Sequence, residues 1–286
     1  MTQDVIKALV LPAGIMFMMF GMGMGLAPAD FRRVFVSPKA KLVGLFCQML
    51  CLPVLAFVIA VGMRLPGELA VGLMLIAACP GGPTSNIITH LARGDTALSV
   101  SLTAVSSIIT VFTIPMVVGA SIRHFMGETA MLVLPFWKTA LQLVVVTILP
   151  IVLGMWANAA RPALCRRFES TFNRVSLGFL VLVVAIAVAR EPDLAGQFVL
   201  VGPSAAALNI ASMCLGFGAA ALFGLALPQR ISISVEVGIQ NGTLALGIAL
   251  GMLDNARFAI PAVVYGLLMF ASGGLMILVF GRRERG

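Results

Sequence analysis

Two apolar stretches, each long enough to cross a bilayer, are interrupted near their middles by residues that a membrane tolerates only for a reason. The first runs from about Leu69 to Leu91 and contains Cys79-Pro80-Gly81-Gly82-Pro83-Thr84-Ser85-Asn86. The second runs from about Ile231 to Leu253 and contains Glu236-Val237-Gly238-Ile239-Gln240-Asn241-Gly242. Pro80 and Pro83 withdraw amide donors, and the Gly81-Gly82 pair lets the chain turn without steric cost. Unwound backbone at membrane depth survives only where it is buried in protein or lines a wet cavity. Glu236 is the only acidic residue deep inside an apolar span. A carboxylate there costs about 2.5–3.5 kcal/mol even on lenient insertion scales.

Each break also starts a half-helix, near Thr84-Ser85-Asn86 and near Asn241-Gly242-Thr243. A helix start carries unpaired amides and a partial positive charge. Two converging starts favour an anionic group, and paired discontinuous helices mark the binding site of a secondary transporter.

The rest of the chain has the same membrane character. Hydrophobic residues make up 60% and charged residues 10%, where a soluble domain has about a quarter charged. Nine apolar spans are expected: Val5–Ala27, Lys41–Met63, Gly67–Leu91, Ala97–Ser121, Met131–Ala157, Val175–Ala189, Phe198–Leu227, Ile231–Leu253 and Phe258–Phe280. With short loops between them, they form one all-α integral membrane domain embedded in the lipid bilayer.

The net charge of +8 follows topology rather than nucleic-acid binding. If the first span enters from outside, 13 of the 19 basic residues, Arg32, Arg33, Lys39 and Lys41 among them, fall in cytoplasmic loops. That asymmetry predicts an outer N-terminus and a cytoplasmic C-terminus in a cytoplasmic membrane. The first apolar run is too long for a cleaved signal peptide.

The interrupted spans are the third and the eighth. If one helix is missing from the front of a five-plus-five plan, they become the fourth of each half, in opposite orientations, which is an inverted repeat.

Glu236 is expected to hold a cation or a proton. Ser85, Asn86, Ser99, Thr103, Gln48 and Gln240 supply the hard oxygens a sodium ion wants, with Ser99 and Thr103 at i, i+4 on one helix face. Alone that pair is weak, since Ser and Thr often bond neighbouring backbone in membranes. Gly21-Met22-Gly23-Met24-Gly25 lies in an apolar helix with the wrong spacing for a dinucleotide loop and reads as close helix packing. Met16–Met19 read as lipid-facing or core filler. His90 and His124 lie near helix ends, and no nucleophile–base pair is visible, so an enzyme is not expected. Cys47, Cys51, Cys79 and Cys214 read as small buried hydrophobes.

At this point the sequence resembles the bile acid:sodium symporter family. The resemblance is carried by the Cys79–Asn86 segment, by Leu91-Ala92-Arg93-Gly94-Asp95-Thr96-Ala97-Leu98-Ser99, and by Glu236–Asn241. It implies a nine-helix, sodium-coupled carrier with the two broken helices crossing. A core of residues 38–123 and 196–281 would move against a panel of residues 1–37 and 129–194. One sodium site would use Ser85, Asn86, Ser99, Thr103 and Glu236. A second would use Gln48, Glu236, Gln240 and the backbone oxygens of Val237 and Ile239. Pro83, Thr84, Asn241, Gly242, Met269 and Phe270 would line the substrate site.

Two departures fall at that site. Met269-Phe270 stands where many bile-acid carriers have a His-Asn pair, and Pro83 where Thr is common. They make a smaller carboxylate, such as a keto acid or a pantoate-like hydroxy acid, at least as good a candidate as a bile acid. The sequence therefore predicts symport of two sodium ions with a small organic anion by alternating access, in a chain that can act as a monomer. A proton-coupled carrier or uniporter with Glu236 as proton site is the alternative.

Overall fold

The computed structural model describes residues 11–27, 29–30, 38–127, 135–165 and 194–281, with single positions at 167, 168, 171, 175 and 178. These residues are helical, apart from short turns and one isolated backbone bridge. In chain order the helices are α1 (Leu11–Met24), α2 (Pro38–Gly62), α3 (Gly67–Ala78), α4 (Pro83–Leu91), α5 (Thr96–Met126), α6 (Phe136–Ala160), α7 (Leu194–Leu222), α8 (Leu227–Gly238), α9 (Gly242–Met252) and α10 (Ala256–Phe280). Five of them, α2, α5, α6, α7 and α10, are long and apolar enough to cross a membrane. The third expected span divides into α3 and α4, and the eighth into α8 and α9. The expected span Val175–Ala189 lies almost wholly outside the described residues.

Two of the π-helical turns have a local cause. In α2 and α6 a π-helical turn, Cys47–Cys51 and Val144–Ile148, sits directly before a Leu-Pro pair, Leu52-Pro53 and Leu149-Pro150. Proline removes the amide that would bond the carbonyl four residues back and crowds it, and the wider π turn absorbs the mismatch. On α6, Trp137 and Trp156 are both strongly exposed. Nineteen residues of helix separate them, roughly 28 Å, which suits indole rings at the two surfaces of a hydrocarbon core about 30 Å thick.

Turn geometry recurs 160 residues along the chain. Leu65 N–H donates to Ala60 O and Leu225 N–H to Ala220 O, both at 3.0 Å. The preceding residues, Arg64 (φ 53°) and Gly224 (φ 67°), are both left-handed. Arg93 (φ 59°) after α4 and Asp254 (φ 49°) after α9 repeat the conformation. Asp95 then caps α5 by accepting from Leu98 N–H, and Asn255 caps α10 by accepting from Arg257 N–H.

Two sequence expectations are corrected. Lys41, assigned to a cytoplasmic loop, is buried within α2 at 3% exposure, because that helix starts at Pro38. Cys214, read as a buried hydrophobe, is exposed on α7, whereas Cys47 and Cys79 are buried.

Candidate functional site

The two interruptions meet. Gly81 and Gln240 face each other in an antiparallel bridge. Asn241 N–H donates to Pro80 O at 2.8 Å, and Gly82 N–H donates to Ile239 O at 3.4 Å. The chain is extended at Cys79, Gly82 and Ile239. Backbone freed from a helix inside a membrane must find partners; here each break supplies them to the other. Gly81 leaves room for the carboxylate of Glu236: a Cβ there would lie 2.1 Å from Oε1, so that side chain would have to shift.

That carboxylate collects hydroxyls from two further helices. Ser85, in the first turn of α4, donates to Glu236 Oε2 at 2.9 Å, and Ser99 of α5 donates to the same oxygen at 2.8 Å. Thr103, one turn along α5, donates to Glu236 Oε1 at 2.5 Å and lies 3.5 Å from Asn86 Oδ1. All four residues that touch through hydroxyl or carboxylate are fully buried. Among the described residues, no lysine or arginine forms an ion pair with Glu236. A carboxylate desolvated among neutral donors is a strong attractor for a cation. The hydroxyls that donate to it can rotate to offer lone pairs instead, so the set has the chemistry of a hard-cation site. Thr89, which sequence reading missed, extends this cluster by donating to Ser99 Oγ at 3.3 Å. Its signal is the spacing Ser85…Thr89, one helical turn.

The other expected set is only partly assembled. Gln240 Nε2 donates to Val237 O at 2.7 Å and reaches Glu236 O at 3.4 Å, while Gln240 Oε1 has no partner. Gln48, in the π turn of α2, is fully buried with both amide atoms unpartnered. Orphaned amide oxygens at membrane depth are costly, and oxygens of this kind are what a bound cation satisfies.

Beside the crossing lies a cavity of about 480 Å³, walled mainly by apolar side chains. Pro83, Thr84, Asn241, Gly242, Met269 and Phe270 all line it. Asn241 accepts from Leu244 N–H at 3.0 Å to cap α9, which leaves its buried Nδ2 without a partner. Met18, Met19, Gly21 and Met22 of α1 line it as well. Of the two readings for Met16–Met19, the core one holds for Met19, which is buried, and for Met18, which packs against the core; both also line the cavity, and 15, 18, 19 and 22 share a helix face. Close packing does hold for Gly23: its Cβ would fall 2.2 Å from Ile151 O of α6. His90 and His124 sit exposed in last turns, as expected.

The sequence profile of the Sodium Bile acid symporter family matches residues 12–197. The chain belongs to that family. Relatives in the family extend the similarity along the remaining length. An uncharacterized sodium-dependent transporter, YocS, of Bacillus subtilis is 26% identical over 93% of this chain and 81% of its own. The probable sodium/metabolite cotransporter BASS1, chloroplastic, of Arabidopsis thaliana is 28% identical over 94% of this chain and 66% of its own. Sodium/bile acid cotransporter 4 of Rattus norvegicus is 26% identical over 94% of this chain, which spans 62% of that relative.

Proposed function

We propose that this symporter-family member moves a small organic anion together with sodium ions across a cytoplasmic membrane. The observation that carries the reading is the crossing itself, where a buried carboxylate gathers three hydroxyls from α4 and α5 beside a cavity. Sodium is cargo here. One ion is held by Ser85, Asn86, Ser99, Thr103 and Glu236, and a second by Gln48, Glu236, Gln240 and the carbonyls of Val237 and Ile239. Binding them orders the crossover and presents Thr84, Asn241 Nδ2 and the opening amides of α4 and α9 to a substrate carboxylate. The apolar walls take the carbon skeleton, with Met269 and Phe270 where a polar pair would favour a larger amphipath.

The recurrent turns 160 residues apart and the antiparallel meeting of the breaks are in keeping with an inverted repeat, and the uneven distribution of basic residues favours an outer N-terminus and an inner C-terminus. α1 packs along α6 and lines the cavity. Movement of that panel against the core exposes the cavity alternately to either surface.

Thermal unfolding of detergent-purified protein in sodium chloride against choline chloride tests this without a substrate. A ligand that binds the folded state stabilises by about 2.7 kcal/mol at a hundred times its Kd. A sodium-specific stabilisation that disappears in Glu236→Ala is expected. No sodium effect in the folded wild type, with uptake driven by a pH gradient instead, overturns the reading in favour of proton coupling at Glu236.

A further inference from the structure

The carbonyls at and just beyond the C-terminal end of α8 include the two assigned above to the second sodium ion, Val237 and Ile239, and their partners are traceable. Val235 O accepts from Ile239 N–H at 2.8 Å, Val237 O from Gln240 Nε2, and Ile239 O from Gly82 N–H. Gly238 O differs. It accepts two side-chain donors, Tyr265 OH of α10 at 2.8 Å and Asn209 Nδ2 of α7 at 2.9 Å. Tyr265 is the only tyrosine in the chain and is fully buried; Asn209 is 2% exposed. Gly238 itself is pressed against α7, since a Cβ would lie 2.1 Å from Met213 Cγ. Ser234, one turn earlier, donates to Met213 O at 2.8 Å, so α8 is pinned to α7 at two levels.

We propose that Tyr265 and Asn209 are positioning residues for sodium: together they clamp the Gly238 carbonyl and so orient the flanking carbonyls of Val237 and Ile239. The inference rests on the sodium-coupled reading. Its physical basis is the planarity of the peptide unit. Fixing the Gly238 carbonyl fixes the whole 238–239 plane, and with it the Ile239 amide. Only the two soft dihedrals of Ile239 (φ −109°, ψ 97°) then separate that plane from the Ile239 oxygen. On the other side, only those of Gly238 separate it from the Val237 carbonyl. Glycine is the residue with the widest choice of these angles, so without an external clamp this is the loosest joint in the set. Two donors from two different helices remove that freedom without touching the cation.

Equilibrium binding of radioactive sodium to detergent-purified protein tests the clamp, with thermal unfolding in choline chloride run beside it. Tyr265→Phe deletes one oxygen and keeps the ring; Asn209→Ala deletes the other donor. Each is expected to raise the sodium concentration for half-saturation about fivefold, the effect of one hydrogen bond. Unchanged sodium affinity in both, with lower thermal stability in choline, makes the pair merely structural and overturns the inference. If Tyr265→Phe fails to fold, Asn209→Ala decides alone. Absence of sodium binding in the wild type overturns the transport reading itself and the clamp with it, a result distinct from normal wild-type binding with unaffected variants.

Discussion

A methyl group at position 81 has no free space to enter. The space a Gly81 side chain would take is held by the Glu236 carboxylate, at 2.1 Å from the would-be Cβ. Its φ is not in the left-handed region, so steric room rather than backbone freedom favours glycine. Gly81→Ala is therefore expected to push Glu236 Oε1 off Thr103 and shift the carboxylate, and overfilling of this kind costs about 1–3 kcal/mol. The check is thermal unfolding in sodium and in choline chloride: stability should drop in both, and the sodium-specific increment should vanish. An intact increment would mean that the carboxylate does not contact the ion from its present position. The same scale shows why Ser99 and Thr103 were legible and Thr89 was not. Both Ser99/Thr103 and Ser85/Thr89 stand at i and i+4 on one helix, but what brings Thr89 into the cluster, its bond to Ser99, depends on α4 folding back onto α5.

At the level of elements, α1 owes its place to glycines that let two backbones touch. Gly23 meets Ile151 O, and on the facing helix a Cβ on Gly154 would lie 2.2 Å from Phe20 O and 2.8 Å from Met24 N. Gly154→Val is expected to force α1 off α6, lower stability by about 1–3 kcal/mol, and displace the wall formed by Met18, Met19 and Met22. Uptake should fall sharply. The sodium-specific thermal increment should survive, because the Glu236 cluster is built by α4, α5 and α8. Measuring both in one preparation separates the two; joint loss would show that cavity wall and cation cluster form one unit. The interrupted helices were readable in advance because proline and glycine act locally. The π turn carrying Gln48 was not, although Pro53 five residues on is its cause.

Across the whole molecule, hydrogen bonds near helix starts join elements far apart in the chain. Asp95 N–H donates to Pro228 O at 3.1 Å and Ser232 Oγ to Asp95 O at 2.9 Å, joining α5 to α8. Asn255 and Arg257 both reach Glu68, joining α10 to α3. The Arg257–Glu68 ion pair is half-exposed and contributes little, about 0–1 kcal/mol; the buried crossing is the tie that is shielded from solvent. If two sodium ions accompany one monovalent anion, each cycle carries one net charge, worth about 2.3 kcal/mol per 100 mV. Uptake into proteoliposomes should then rise when a potassium diffusion potential makes the interior negative. Potential-independent uptake would establish a neutral one-to-one cycle.

What the sequence determined alone was the membrane, the two interruptions, and the residue types able to meet a cation and an anion. These are properties of runs, breaks and local spacing. Tertiary structure alone decided which apolar face meets lipid and which the interior, so the choice between lipid and core for Met18 and Met19 stayed open in the sequence and Cys214 was misplaced. It alone brought Tyr265 and Asn209 to one carbonyl from helices far apart in the chain. The reason is physical: lipid tails are as apolar as a protein interior. Hydrophobicity therefore marks what is inside the membrane but not what is inside the protein, and that second choice is made only when helices close on one another.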